Sequence, residues 1–202
     1  MRRIVVTEFV SLDGIFEAPG PDGSGYKYEG WTMNYGNDEF MKFKSEELES
    51  ADAQLLGRIT YQSFAIAWPK MNEDEFGKKF NSMKKYVVSK TLKKADATWE
   101  NSHIIKGDIA KEIARLKEEK GVPGSNSSRS KAGTDIIVYG SGQLVNFLLG
   151  LGLVDELRLL VYPVILGEGK RLFKDKYTKL KLIEETTFKT GLIALRYEPI
   201  LK

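Results

Sequence analysis

A chain of 202 residues, 42% of them apolar and 29% charged, is long enough to bury one substantial core and has the ordinary composition of a globular domain. It contains no cysteine, which excludes disulfides, iron–sulfur clusters and thiolate zinc. Its net charge is +3, and its bases are interleaved with acids, as in KFKSEELES and KEIARLKEEK, so a nucleic-acid partner is not expected.

His103 is the one histidine, so a multi-histidine metal site is ruled out and an incidental surface position is expected. No apolar run approaches the length of a membrane span. The opening MRRIVVTEFVSLDG reads as a first strand, about Arg3 to Val10, and not as a signal peptide. With neither signal nor disulfide, the expectation is a cytoplasmic protein.

The segment IFEAPGPDGSGYKYEGWTMNYGN follows, rich in Gly, Pro and aromatics and without a period, as in loops that wall a site. Asn37-Asp38 is placed to cap a helix running to about Ser50. Ala53 to Leu56 reads as a short buried strand broken by Gly57, and Arg58 to about Ala67 as a helix stopped by Pro69. A helix over Glu73–Met83, a strand over Lys85–Ser89 and weak strands at Ala97–Trp99 and His103–Ile105 come next.

Asp108 caps an amphipathic helix to Lys120, with Ile109, Ile113 and Leu116 on one face. The polar run at about 120–134 reads as a flexible loop inside a single domain spanning 1–202. Then come the strand Asp135–Tyr139, a Gly-Ser-Gly turn and an apolar helix from Gln143 to Leu151. DELRLLVYPVILG reads as one long strand, and the last segment as a hairpin around Lys189-Thr190-Gly191. This order predicts an α/β fold: a central mixed, mainly parallel sheet flanked by helices, with antiparallel strands at the C-terminal end.

Strand–glycine–helix occurs twice, in QLLGRITYQSF and IIVYGSGQLVNFLL. A helix N-terminus at the carboxyl end of a parallel strand offers unpaired N–H groups and a positive dipole, and glycine lets a phosphate approach them. A tight connection explains either turn alone. The second turn is not a Rossmann fingerprint, since Val145 stands where the third glycine belongs and Leu160 where the acid does. Ser89-Lys90-Thr91 closes a third strand. Its hydroxyls and ammonium suit a phosphate monoester such as the 2′-phosphate that distinguishes NADP from NAD, or else form a polar turn.

Taken in order, VSLDG, LLGRITYQSF, KYVVSKTL, IIVYGSGQLVNFLL and VDELRLLVYPVILGEGKRLF resemble the motifs of the dihydrofolate reductase-like superfamily over nearly the whole chain. The nearest branch is the reductase C-terminal domain of bacterial riboflavin biosynthesis with its stand-alone relatives. The resemblance implies that fold and an NADPH site. By position, Gly57, Arg58 and Thr60 would serve the cofactor phosphates, and Ser89 and Lys90 the 2′-phosphate. Gly140, Ser141, Gly142 and Gln143 would line the pyrophosphate and nicotinamide ribose; Val10, Ser11 and Leu12 would approach the nicotinamide.

Two carboxylates are candidate catalytic acids. Glu39 stands four residues before Phe43, as does the pterin-protonating acid of true dihydrofolate reductases, but the Pro-Trp pair of their first loop is absent. SLDG belongs to the riboflavin-type branch, where the Asp of this turn, here Asp13, borders the substrate pocket; an Asp-Gly turn with a backbone role is the alternative. Glu168, between two glycines, is a further pocket acid or part of a plain turn.

Phe16, Tyr26, Tyr28, Trp31 and Tyr35 are placed either to stack on a flat heterocycle or to pack in the core. The expected function is an NADPH-dependent reductase acting on a small heterocyclic or carbonyl/imine substrate. The alternative is a nucleotide-binding module of the same fold without reductase activity. A homodimer built on the β-rich C-terminal third is also expected, because the branch is commonly dimeric and LRLLVYPVIL would leave an apolar edge exposed.

Overall fold

The computed structural model describes residues 1–120, 135–174 and 177–200; the loop expected at about 120–134 falls, apart from Lys120, outside them. The strands are β1 (Arg3–Ser11), β2 (Ala51–Gly57), β3 (Lys84–Val88), β4 (Ser102–Ile105), β5 (Asp135–Tyr139), β6 (Glu156–Tyr162), β7 (Lys179–Thr187) and β8 (Ile193–Ile200). Among the described residues they form one sheet in the order β4-β3-β2-β5-β1-β6-β8-β7. The six strands β1 to β6 pair in parallel, and β8 and β7 close one side antiparallel. The mainly parallel sheet with an antiparallel C-terminal hairpin is the architecture expected from the order of motifs.

Among the described residues five α-helices cover the sheet: α1 (Asp38–Glu49), α2 (Arg58–Ala67), α3 (Glu75–Ser82), α4 (Ile109–Glu118) and α5 (Gly142–Gly150). Because successive strand side chains point to opposite faces, β1 serves two cores. Ile4, Val6 and Val10 pack with Ile113 and Leu116 of α4 and with Leu144, Val145 and Leu148 of α5. Val5 faces Leu48, Tyr61 and Phe80 of α1, α2 and α3. Phe9 joins an aromatic cluster with Trp31, Tyr35, Phe40, Phe43, Tyr162 and Phe188. No described helix is long and apolar enough to cross a membrane.

Two sequence expectations are corrected. Ala97–Trp99 is no strand: a single turn of 3₁₀ helix over Lys94–Asp96 leads into it, and the Trp99 indole is buried, donating to Asn81. The long strand over DELRLLVYPVILG stops at Tyr162, because Pro163 has no N–H to give a ladder. Beyond it the N–H groups of Leu166 and Gly167 turn to the Asp13 carboxylate. The hairpin turn lies where expected, closed by Phe188 and Leu192 with Gly191 at φ 86°.

At the start of β6, Glu156 is buried among three guanidinium groups. Arg3 donates to it at 3.0 Å, Arg158 at 2.6 Å and Arg196 at 2.8 Å. Arg158 reaches on to Glu47 of α1 at 3.3 Å, and Arg3 to Asp135 of β5 at 2.6 Å. This network ties five elements together where an apolar core would otherwise sit.

Candidate functional site

β3, β2, β5 and β1 are neighbours, run in parallel and end along one edge of the sheet. Their following turns therefore lie side by side, separated by three inter-strand steps of ~4.8 Å each. In order they carry Ser89 and Lys90; Gly57, Arg58 and Thr60; Gly140, Ser141, Gly142 and Gln143; and Val10, Ser11 and Leu12. Four stretches far apart in sequence are brought into one row, at the place where open α/β sheets hold ligands.

The helices opening from this edge differ from the others. Asn37 caps α1, Asp74 caps α3 and Asp108 caps α4, each by accepting a backbone N–H. α2 opens from Gly57 and α5 from Ser141, and neither has a side-chain cap. The first-turn N–H groups of both thus face the same edge with no side chain to accept them. Gly140 and Ser141 are consecutive residues of positive φ, 61° and 59°, which turn the chain sharply from β5 into α5.

The glycines also have a packing reason that holds with or without a ligand. A Cβ on Gly57 would lie 2.1 Å from the Ser141 Oγ and 2.6 Å from its Cβ. A Cβ on Gly140 would lie 2.9 Å from Thr60 Oγ1 and Cγ2, and one on Gly142 2.6 Å from the Phe16 ring. Each turn seats the side chain of the other. Spacing alone did not show this, because the partners are about eighty residues apart.

The remaining candidates vary in exposure. Lys90, Gln143 and Leu12 are exposed; Arg58 is half-buried and donates to Gln62 at 2.9 Å. The Ser89 hydroxyl accepts from the N–H groups of Thr91 at 3.1 Å and Leu92 at 2.9 Å, so it shapes its own turn. Val10 is core, and Ser11 is buried with its hydroxyl donating to Asp13 at 2.6 Å.

Neither carboxylate chosen from sequence stands as a ready acid. The hydrogen bond from Ser11, helped by the N–H groups of Gly167 and Leu166, holds Asp13 down to about 2. In this conformation Asp13 is an ionised acceptor that fastens the β1 turn to the 166–167 backbone. Glu39 is exposed in the first turn of α1 and accepts from the Lys189 N–H at 3.4 Å, on the hairpin side of the sheet. Glu39 thus meets the backbone of the turn between β7 and β8 and not the glycine turns.

Of the aromatics, Trp31 and Tyr35 stand edge-on to Tyr162 at 5.2 and 5.4 Å, which is core packing. Tyr26 donates to the Glu168 carbonyl at 2.6 Å, while the Glu168 carboxylate is exposed beside Lys27. His103 is exposed on β4, and no group of metal-binding side chains is found among the described residues.

One acid was missed. Glu8, within IVVTEFV, is 5% exposed, and its Oε1 has no hydrogen-bond partner. Burial pushes its carboxyl up to about 8, partly countered by the charge of Lys44 and the N–H of Gly140. The signal was present: a lone acid at an inward position of an otherwise apolar strand.

The sequence and the fold resemble those of known proteins. Residues 126–194 match the family described as the RibD C-terminal domain. The protein YyaP of Bacillus subtilis is 34% identical over 203 residues, covering 97% of this chain and 94% of its own. Among solved structures, a putative riboflavin biosynthesis protein from Shewanella superposes with a TM-score of 0.70 at 19% identity, each chain covered completely. A pyrimidine reductase-like protein from Corynebacterium diphtheriae superposes at 0.62 and 17% identity, covering 100% of this chain and 93% of its own. The continuous likeness to YyaP, the RibD match and the fold shared with these structures lead to one conclusion: the chain belongs to the dihydrofolate reductase-like superfamily, in the branch of the riboflavin-biosynthesis reductase C-terminal domain and its stand-alone relatives.

Proposed function

We propose that the protein is an NADPH-dependent reductase that passes a hydride to a small heterocyclic or carbonyl/imine substrate. The observation that carries this is the row of turns on β3, β2, β5 and β1, two of them opening uncapped helices at adjacent strands. A dinucleotide laid along the row would meet Ser89 and Lys90 at its 2′-phosphate, and Arg58, Thr60 and the α2 amides at its phosphates. The Gly140–Gln143 turn would hold the pyrophosphate and ribose, and Val10 to Leu12 the nicotinamide. The bound cofactor would supply the hydride; the protein supplies position and excludes water. An ordered water is the simpler proton source, given that Asp13 is ionised and Glu39 is solvated.

The same two carboxylates favour the second reading, a nucleotide-binding module without reductase activity. An NADPH titration followed by a panel of pterin and flavin-precursor substrates, monitored for NADPH oxidation, separates the two. Binding without turnover would support the module, and no binding would overturn both. We expect NADPH to bind more tightly than NADH. Lys90→Ala should weaken NADPH by roughly 5- to 150-fold, the equivalent of about 1–3 kcal/mol for a charge-assisted contact, and leave NADH unchanged. Equal titration curves for the two cofactors would refute the assignment of Ser89 and Lys90.

A cytoplasmic homodimer built on the β-rich C-terminal third remains part of this reading, but not through LRLLVYPVIL. LRLLVYPVIL is mostly β6, an interior strand between β1 and β8. The exposed apolar side chains of this region are Leu182 and Ile183 on β7 and Ile193 and Ile200 on β8. The edge of β7 carries Lys179 and Lys181 and a bulge at Leu182/Glu184, devices that discourage edge-to-edge pairing. The proposed contact is therefore face to face. Sedimentation across micromolar concentrations should show a dimer, and Ile183→Lys should shift it to monomer.

A further inference from the structure

We propose that Glu8 is a ligand-binding residue of the strand-end site, giving the hydrogen of a neutral carboxylic acid to an oxygen of the phosphate-bearing ligand held at the Gly140–Gly142 turn. The inference rests on the cofactor reading above and deepens it.

Register places the residue. Thr7 pairs with Tyr139 in the last rung between β1 and β5, so Glu8 lies level with Gly140, one residue past the end of β5. Alternation puts it on the face of Val6 and Val10, which pack against Leu144, Val145 and Leu148 of α5. Glu8 thus sits beneath the uncapped N-terminus of α5. Two observations meet there: first-turn amides without a side-chain cap, and a buried carboxyl oxygen without a partner. A buried polar atom left unpaired costs stability and calls for an explanation. A ligand oxygen that takes a hydrogen from Glu8 and further hydrogen bonds from the α5 amides satisfies both sets.

Charge decides the protonation state. An ionised carboxylate at an anion site would repel the ligand, whereas a neutral acid donates to it. The sequence GQLVNFLLG gives α5 no charged side chain toward Glu8. Tyr139, the neighbour on β5, has its hydroxyl buried. Lys44 of α1 acts on Glu8 through its charge, but its ammonium is bonded to Glu47 and Thr7. Arg158 of β6 is held by Glu47 and Glu156. Asp13 and Glu17, on the segment after β1, are bonded to backbone N–H groups at 166–167 and to Lys170. No cation contacts the Glu8 carboxyl among these groups, which keeps it neutral up to about 8.

The sign of the pH effect follows. Below about pH 8 the acid is protonated in the free protein and binding is at full strength. Above it, ionisation must be reversed on binding, and affinity falls by about tenfold per pH unit. The full chain is titrated with NADPH, and with inorganic pyrophosphate as competitor, from pH 6.5 to 9.5, as wild type, Glu8→Gln and Glu8→Met. Glu8→Gln keeps a donor that cannot ionise, so it should bind within a few-fold of wild type at pH 7 and show a flat profile. Glu8→Met, with neither donor nor acceptor, should bind at least tenfold more weakly throughout.

A melt adds a readout that needs no ligand. Between pH 4.5 and 8 the unfolded carboxyl is ionised while the folded one holds its proton, so wild-type stability declines with rising pH. Glu8→Gln should therefore melt higher than wild type at pH 7, with the gap closing toward pH 4.5. If Glu8→Gln follows the wild-type binding profile, the Glu8 role is overturned while the cofactor site stands, even should Glu8→Met fail to fold. If wild type binds neither NADPH nor pyrophosphate at any pH, the cofactor reading falls and the Glu8 role with it.

Discussion

Glu156→Gln should lower unfolding free energy at pH 7 by about 3–5 kcal/mol, the cost of removing the central carboxylate of a buried ionic group. Glu156 is 2% exposed. Burial raises its carboxyl, but the bonds from Arg196 and Arg158 outweigh this and hold it at about 2. A carboxylate depressed from 4.5 to about 2 contributes stability that is fully present above pH 4.5 and is lost as pH falls toward 2. That part is worth about 3 kcal/mol, from 1.36 kcal/mol per pKa unit. Urea titrations of wild type and variant at pH 7 and at steps down to pH 2.5 should show the gap shrink. A gap independent of pH would mean that shape, not charge, holds β6 to β1 and β8.

Gly57→Ala is the second large effect, and it concerns the site directly. Gly57 has φ of −78°, so alanine strains no backbone there. The new Cβ would nonetheless stand 2.1 Å from the Ser141 Oγ, and the two turns must part. We expect a loss of about 1–3 kcal/mol, as for other overpacked positions. Ser141→Gly removes the opposing Cβ and hydroxyl, so the double variant should recover most of the loss. Thermal melts of the four proteins form the cycle. If Ser141→Gly does not rescue, the interlock of the turns is not what makes Gly57 necessary.

This second case shows how far the sequence could be read. The two strand–glycine–helix turns were visible in QLLGRITY and IIVYGSGQ, and so was their suitability for a phosphate. That Gly57 exists partly to admit Ser141, and Gly140 to admit Thr60, was not visible. The partners come from strands far apart in the chain and adjacent in the sheet. The same limit explains the β6 correction. LRLLVYPVIL has the composition of an exposed apolar edge or of a central strand equally, and only the position of β8 beside it settles which.

Composition, periodicity and caps by themselves determined the class of the fold and most elements. They respond to forces acting within a few residues: an Asp or Asn accepting an N–H three residues on, Pro163 denying a ladder its donor, alternation burying one side of β1. The protonation of acids was decided by tertiary structure alone. Asp13 reads in sequence as a candidate acid or a turn residue, and it is ionised because Ser11 and the 166–167 backbone close on it. Glu8 reads as one more charge in a strand, and it is held neutral because β5, β6 and α5 remove water from around it. Desolvation depends on everything packed around a group at once, and no local stretch of sequence encodes it.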